Sequence, residues 1–177
     1  MKLIFISFII YFIFFCSSIV AKTIAVVNIQ TLIDNNLKYI ETLELIEISQ
    51  LTFLEEFNIK EENLKKMLDD IENSKLILSD NEINNLINEY NVELSNFSLK
   101  VDEFNYHYQN QIIKIREKIL EQIIVLLEDY AKLNKIDLIL DSTSYLIASN
   151  SLDITDDINI KLKSLKINLN YEEFEKN

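Results

Sequence analysis

The chain has 177 residues, 29 acidic and 17 basic, giving a net charge of −12 at neutral pH, and it contains neither Gly nor Pro. That acidity argues against nucleic acid and anionic lipid as principal partners, because both are held by clustered cations. An apolar fraction of 49% excludes a wholly disordered chain, and the length fits one ordinary domain.

Residues 1–21 read as a secretory signal. Lys2 supplies a single charge, Leu3–Phe15 is unbroken and apolar, and Ala21 is a small residue suited to cleavage. Cys16 invites lipid attachment, but Ile13-Phe14-Phe15 lacks the small residues expected before a lipidated Cys. An uncleaved anchor stands beside the signal reading, since Leu3–Ala21 gives 19 residues without a charge, just long enough to span a bilayer. Cleavage after Ala21 removes the single Cys and one Lys, leaving a charge of −13, no disulfide and no stable membrane insertion.

Thr23–Ile29 is short, β-branched and apolar, which predicts a buried strand. Asn28 or Thr31 can cap the helix that follows. From Leu32 to Leu78 the apolar residues Leu37, Ile40, Leu43, Leu51, Leu54, Phe57, Leu64, Leu68 and Ile71 recur at imperfect helical spacing. Ser79 and Glu82 form a capping box that restarts the helix after a reversal within Ile71–Glu82. Ile83, Ile87, Tyr90, Leu94, Phe97, Val101, Phe104 and Tyr108 then alternate spacings of four and three, and Ile115, Ile119 and Ile123 continue the seam towards Leu133. Two arms of similar length, each about 70–80 Å at ~1.5 Å per residue, predict an antiparallel hairpin.

Asp137–Asp141 reads as a second strand, Ser142-Thr143-Ser144 as a turn, and Tyr145–Ala148 as a returning strand. Ser149-Asn150-Ser151 is loop. Thr155 is a candidate N-cap for a short helix with Asp156 and Asp157 at its start and Ile158, Leu162 and Leu165 on one face. The tail is expected to fray. Without Gly, the turns fall to Asn, Asp and Ser. The fold class is therefore α+β, mostly α, with a small β-body and a long helical hairpin. Residues 22–177 form one domain: body at 22–30 and 135–166, arm at 31–134, tail at 167–177.

Chemistry is sparse. No phosphate-cradling loop is possible without Gly, and the exported chain has no thiol. His107 lies beside the seam rather than in a cleft motif. Asp69-Asp70 reads as a solvated helix face and Asp156-Asp157 as helix-start chemistry. No catalytic, cofactor or metal site is expected. The aromatics Tyr90, Phe97, Phe104, Tyr106 and Tyr108 suit either a binding stripe or, in the preferred reading without Tyr106, the seam between the arms. Glutamates from Glu41 to Glu62 read as a solvated face.

Three segments resemble the Skp/OmpH family of periplasmic chaperones: Ile24-Ala25-Val26-Val27-Asn28-Ile29-Gln30, Asp137-Leu138-Ile139-Leu140-Asp141-Ser142 and Asp153-Ile154-Thr155-Asp156-Asp157-Ile158. They follow a signal-like segment in the family's order, with the hairpin between the first two. The resemblance implies a periplasmic homotrimer whose strands join in a central body. Three hairpins would then enclose unfolded outer-membrane proteins without ATP. Well-known members are basic and this chain is acidic, so no ligand residues carry over, for lipopolysaccharide or otherwise. Ile24, Val26, Leu138 and Leu140 are apolar on strands too short to stand alone, and form the candidate oligomer interface. An envelope coiled-coil scaffold, anchored by an uncleaved N-terminus, is the alternative.

Overall fold

The structure is a computed structural model describing residues 22–175; the signal reading of residues 1–21 lies outside the described residues. Strand β1 (Ile24–Val27) pairs in parallel with β2 (Leu138–Asp141), Ile24 opposite Leu138 and Val27 opposite Asp141. Parallel neighbours need a long crossover, and here the crossover is the entire hairpin. Ala25, Val27 and Ile139 turn to the core, so the alternation of a strand places Ile24, Val26, Leu138 and Leu140 on the opposite face.

Tyr145–Ala148 does not return as a strand, and Leu146 and Ile147 stand 101% and 92% exposed. The free edge of β1 is taken by a later segment: Val26 bridges to Asp153, and Ile154 N–H donates to Val26 O at 2.9 Å. The residues between form two 3₁₀ turns, Ser142–Ser144 and Asn150–Leu152, joined by irregular chain.

The first arm is broken near its root. Helix α1 (Ile29–Asp34) starts at Asn28, whose Oδ1 accepts the Thr31 N–H at 2.9 Å. It stops at Asn35, and Asn36 restarts the chain as α2 (Leu37–Ser74) by accepting the Tyr39 N–H at 3.0 Å. The helix expected from Leu32 is interrupted because the Asn36 side chain offers the backbone a local alternative, while the Asn35 N–H closes the first helix on the Thr31 carbonyl. The bend turns Leu32 and Ile33 into the body, where both are fully buried.

Helix α3 (Asp80–Asn134) begins at the expected capping box: Ser79 N–H and Oγ donate to Glu82 Oε2 at 2.9 and 2.7 Å. The Ser79 hydroxyl, then its N–H, hold the Glu82 carboxyl below its ordinary range. The helix ends at Lys135 in the left-handed region, φ 54°. Asn, Asp and Ser thus do not build every turn; a Lys takes this one. Helix α4 (Thr155–Ser164) buries Ile158 and Leu162, while Leu165 lies beyond its end and is exposed. Thr155 is its first residue rather than its cap. Its N–H and Oγ1 both donate to Asp153 Oδ1, at 2.8 and 2.6 Å.

Both arms meet through faces shifted from those expected. On α2 the buried positions are Tyr39, Thr42, Ile46, Ser49, Phe53, Phe57, Leu64 and Ile71. Leu37, Ile40, Leu51, Leu54 and Leu68 face outward instead. On α3, Ile87 and Leu94 are exposed, and Leu86 and Glu93 are half-buried in their place. A strict 3.5-residue repeat drifts ~20° per heptad on a straight helix. Ten to seventeen residues from Phe104, that drift hands the seam to the neighbouring position.

The described part of the tail, residues 167–175, is docked rather than frayed. Ile167, Leu169, Tyr171 and Phe174 pack against the core along the hairpin, without regular secondary structure.

Candidate functional site

The three segments that carry the family resemblance meet in the body. Asn28 N–H donates to Thr155 Oγ1 at 2.9 Å, and Ile29 N–H donates to Asp141 Oδ1 at 3.1 Å. Asp141 Oδ2 accepts from Thr143 N–H and Oγ1 at 3.2 and 2.6 Å. Thr23 N–H reaches Asp137 Oδ2 at 2.8 Å. These residues serve as a clasp: each carboxylate or hydroxyl satisfies a donor where a strand ends or a helix begins.

Burial pushes the Asp141 carboxyl up, but the Thr143 hydroxyl and the N–H groups of Ile29, Thr143 and Ser142 outweigh it and hold the group below its ordinary value. A folded-state pKa below the unfolded one gives stability that is complete above the unfolded value, ~3.9, and lost as pH falls through the folded value. Asp141→Ala is therefore expected to cost about 2–3 kcal/mol at pH 7, from donors left unpaired. Below pH 4 the gap between variant and parent should narrow. Urea melts across pH 3–7 check this; a gap that stays constant would remove Asp141 from the acid response.

Of the four residues assigned to an oligomer interface, Ile24 and Leu138 are exposed on the outer sheet face, 41% and 47%. Leu140 is half-buried. Val26 is 3% exposed, enclosed within the chain between β2 and Asp153.

The arms carry the larger surface. Their root is aliphatic, with Ile115, Ile119 and Ile123 fully buried. Their middle is aromatic: Phe104 lies 5.7 Å from Phe53, 5.1 Å from Phe57 and 5.0 Å from Tyr108, centroid to centroid. Tyr90 and Phe97 are half-buried and Tyr106 is exposed, so the seam reading of the aromatics holds. One buried polar link crosses here, Ser49 Oγ to Tyr108 OH at 2.6 Å. Further out a cleft of about 350 Å³ opens between the arms, lined by Glu56, Phe57, Lys60, Glu93, Asn96, Phe97 and Lys100, and the Lys60–Glu93 ion pair crosses it. The continuous core ends near Phe57 and Phe97.

The outward faces are not purely polar. Leu37, Ile48 and Ile59 recur every eleven residues on α2, and Val92, Leu99, Tyr106 and Ile113 recur every seven on α3; all are exposed. Eleven and seven residues are close to three and two full turns, so each set forms a stripe. The sequence signal for the α3 stripe was its perfect heptad spacing, hidden beside the stronger seam.

His107 Nε2 lies 2.7 Å from Glu172 O, on the tail. Among the described residues no group of three or more His, Cys, Asp or Glu is placed to hold a metal, and no helix is long and apolar enough to cross a membrane. Asp156 and Asp157 sit in the first turn of α4, where Asp157 accepts a 2.5 Å hydrogen bond from Tyr130 OH.

A two-stranded parallel clasp from which one long antiparallel hairpin projects defines a body-and-arm architecture. The chain belongs to the OmpH-like outer membrane protein family, whose model matches residues 23–162. Its fold is similar to the crystal structure of a protein from Caulobacter crescentus CB15 described as an outer membrane chaperone (OmpH-like). The TM-score is 0.73 at 11% identity, covering 88% of this chain and 92% of that one. No curated protein matches the sequence.

Proposed function

We propose that the protein is an exported, ATP-independent holdase that keeps unfolded outer-membrane proteins from aggregating between its arms. The observation that carries this reading is the pair of exposed apolar stripes on arms that reach far beyond the body. Helix α3, with 55 residues, is about 80 Å long at ~1.5 Å per residue. A flexible client needs many weak, adaptable contacts, and apolar side chains spaced one per two or three turns supply them without one tight pocket. Glutamates among them keep such a surface soluble. Family membership and the chaperone description of the similar fold point the same way.

The same reading takes the functional unit as a homotrimer in the periplasm, closed through Ile24, Leu138 and Leu140, with Val26 left to the core of each chain. Support comes from the apolar residues that the body leaves exposed: Ile24, Leu138, Leu146 and Ile147. The decisive test dilutes a urea-denatured β-barrel membrane protein into buffer containing the chain and follows light scattering. A holdase suppresses the scattering at near-stoichiometric amounts, with no nucleotide present. Undiminished scattering at a threefold excess rejects the function.

A further inference from the structure

Residues 165–175 lie beyond the part of the chain that matches the family model, and they dock on the hairpin in an orderly way. Ile167, Leu169 and Tyr171 are half-buried while Asn168, Asn170 and Glu172 face out, a period of two along an extended segment. The alternation stops there: Glu173 is exposed, and Phe174, three residues past Tyr171, inserts its ring 5.4 Å from Phe53, 5.6 Å from Phe104 and 5.6 Å from His107. The arms also bond the tail's backbone. Gln111 Oε1 accepts from Glu172 N–H at 3.4 Å, His107 Nε2 meets Glu172 O at 2.7 Å, and Tyr108 OH accepts from Phe174 N–H at 3.4 Å. Gln111 and Tyr108 are themselves 6% and 0% exposed. Side chains that bond a guest's peptide groups, beside an aromatic box that takes its ring, recognise an extended strand with little regard to sequence.

We propose that this trough is a binding site for extended polypeptide with apolar side chains at every second position and an aromatic residue near one end, and that the chain's own tail is its displaceable occupant. Alternation of that kind is what a membrane β-barrel strand carries, apolar on its lipid face and polar on the other. The tail therefore imitates the proposed client, and the inference rests on the holdase reading for its physiological guest. A tethered segment sees its site at an effective concentration of roughly 1 mM. If the free tail bound with a Kd of about 100 μM, the tether would keep the site ~90% filled and weaken a competing strand about tenfold.

The test uses the exported chain from Lys22, the same chain ending at Ser164, and a fluorescent peptide of residues 165–177. The peptide should bind the shortened chain and bind the intact chain at least tenfold more weakly, and a Phe174→Ala peptide should bind neither. A urea-denatured barrel protein should bind the shortened chain about tenfold more tightly than the intact one. If circular dichroism shows that shortening unwinds the arms, the full-length Tyr171→Ala/Phe174→Ala chain replaces it under the same criteria. A helical, tail-released chain that binds the peptide no better than the parent, or whose grip on the barrel protein is unchanged or weaker, overturns the proposal. If the peptide binds as expected but no form of the chain binds the barrel protein, the strand site stands and the holdase reading falls.

Discussion

Val26→Asp is expected to lower the melting temperature by about 6–20 °C, whereas an Ile24→Asp/Leu138→Lys double substitution leaves it nearly unchanged and alters the mass in solution. Val26 is almost fully enclosed, 3% exposed, between β2 and the Asp153 bridge. A carboxylate buried there costs about 3–5 kcal/mol, at ~2–4 °C per kcal/mol in a chain of this size. Ile24 and Leu138 face each other across the register on the outer face, 41% and 47% exposed in the single chain. Opposite charges at those two positions pair with one another within one copy but lose their water if three copies share that face. Thermal melts and light-scattering mass separate the two effects. A double variant with the parent's mass removes Ile24 and Leu138 from any interface between copies.

Phe104→Ala is expected to destabilise the chain by about 3–5 kcal/mol, while Leu94→Ala, ten residues closer to the tip, changes stability by no more than ~0.5 kcal/mol. Phe104 is 4% exposed and makes ring contacts with Phe53, Phe57, Tyr108 and Phe174. Its loss leaves a hole bounded by rings that cannot collapse without disturbing both arms. Leu94 belongs to the same run of apolar residues by spacing yet faces solvent. Urea melts of the two variants measure both values. Equal costs would mean that the seam follows the sequence repeat and not the packed helices.

The contrast between Phe104 and Leu94 also shows what sequence can and cannot resolve. The hairpin, its reversal at Ser79–Glu82 and the clasp segments were legible, because capping chemistry and β-branched runs are local signals. The face of α2 was not, because Thr42 and Ser49 occupy buried positions that a search for apolar residues passes over. Ser49 is inside because Tyr108 OH gives its hydroxyl a partner, a fact settled 59 residues away. Tyr145–Ala148 had strand composition but pairs with neither strand, and the free edge of β1 goes to Asp153 and Ile154. Ile167, Leu169 and Tyr171 showed their alternation openly. Without a strand to pair with, the pattern gave no hint that a helical hairpin would receive it.

The pairing of β1 with β2 fixes an order of events. Ile24 and Leu138 are 114 positions apart in register. At a synthesis rate of ~5–20 residues per second, β1 waits about 6–23 s before its partner exists. Closing so long a loop is entropically unfavourable and slow for a disordered chain. The hairpin changes that, because pairing its two arms brings Ile24 and Leu138 side by side. The arms therefore act as the hinge pin on which the body closes. With no Pro in the chain, no slow prolyl isomerisation interrupts the sequence. An apolar N-terminal strand left unpaired for that interval is itself an aggregation-prone segment, so a protein read as a guardian of unfolded chains begins its own life as one.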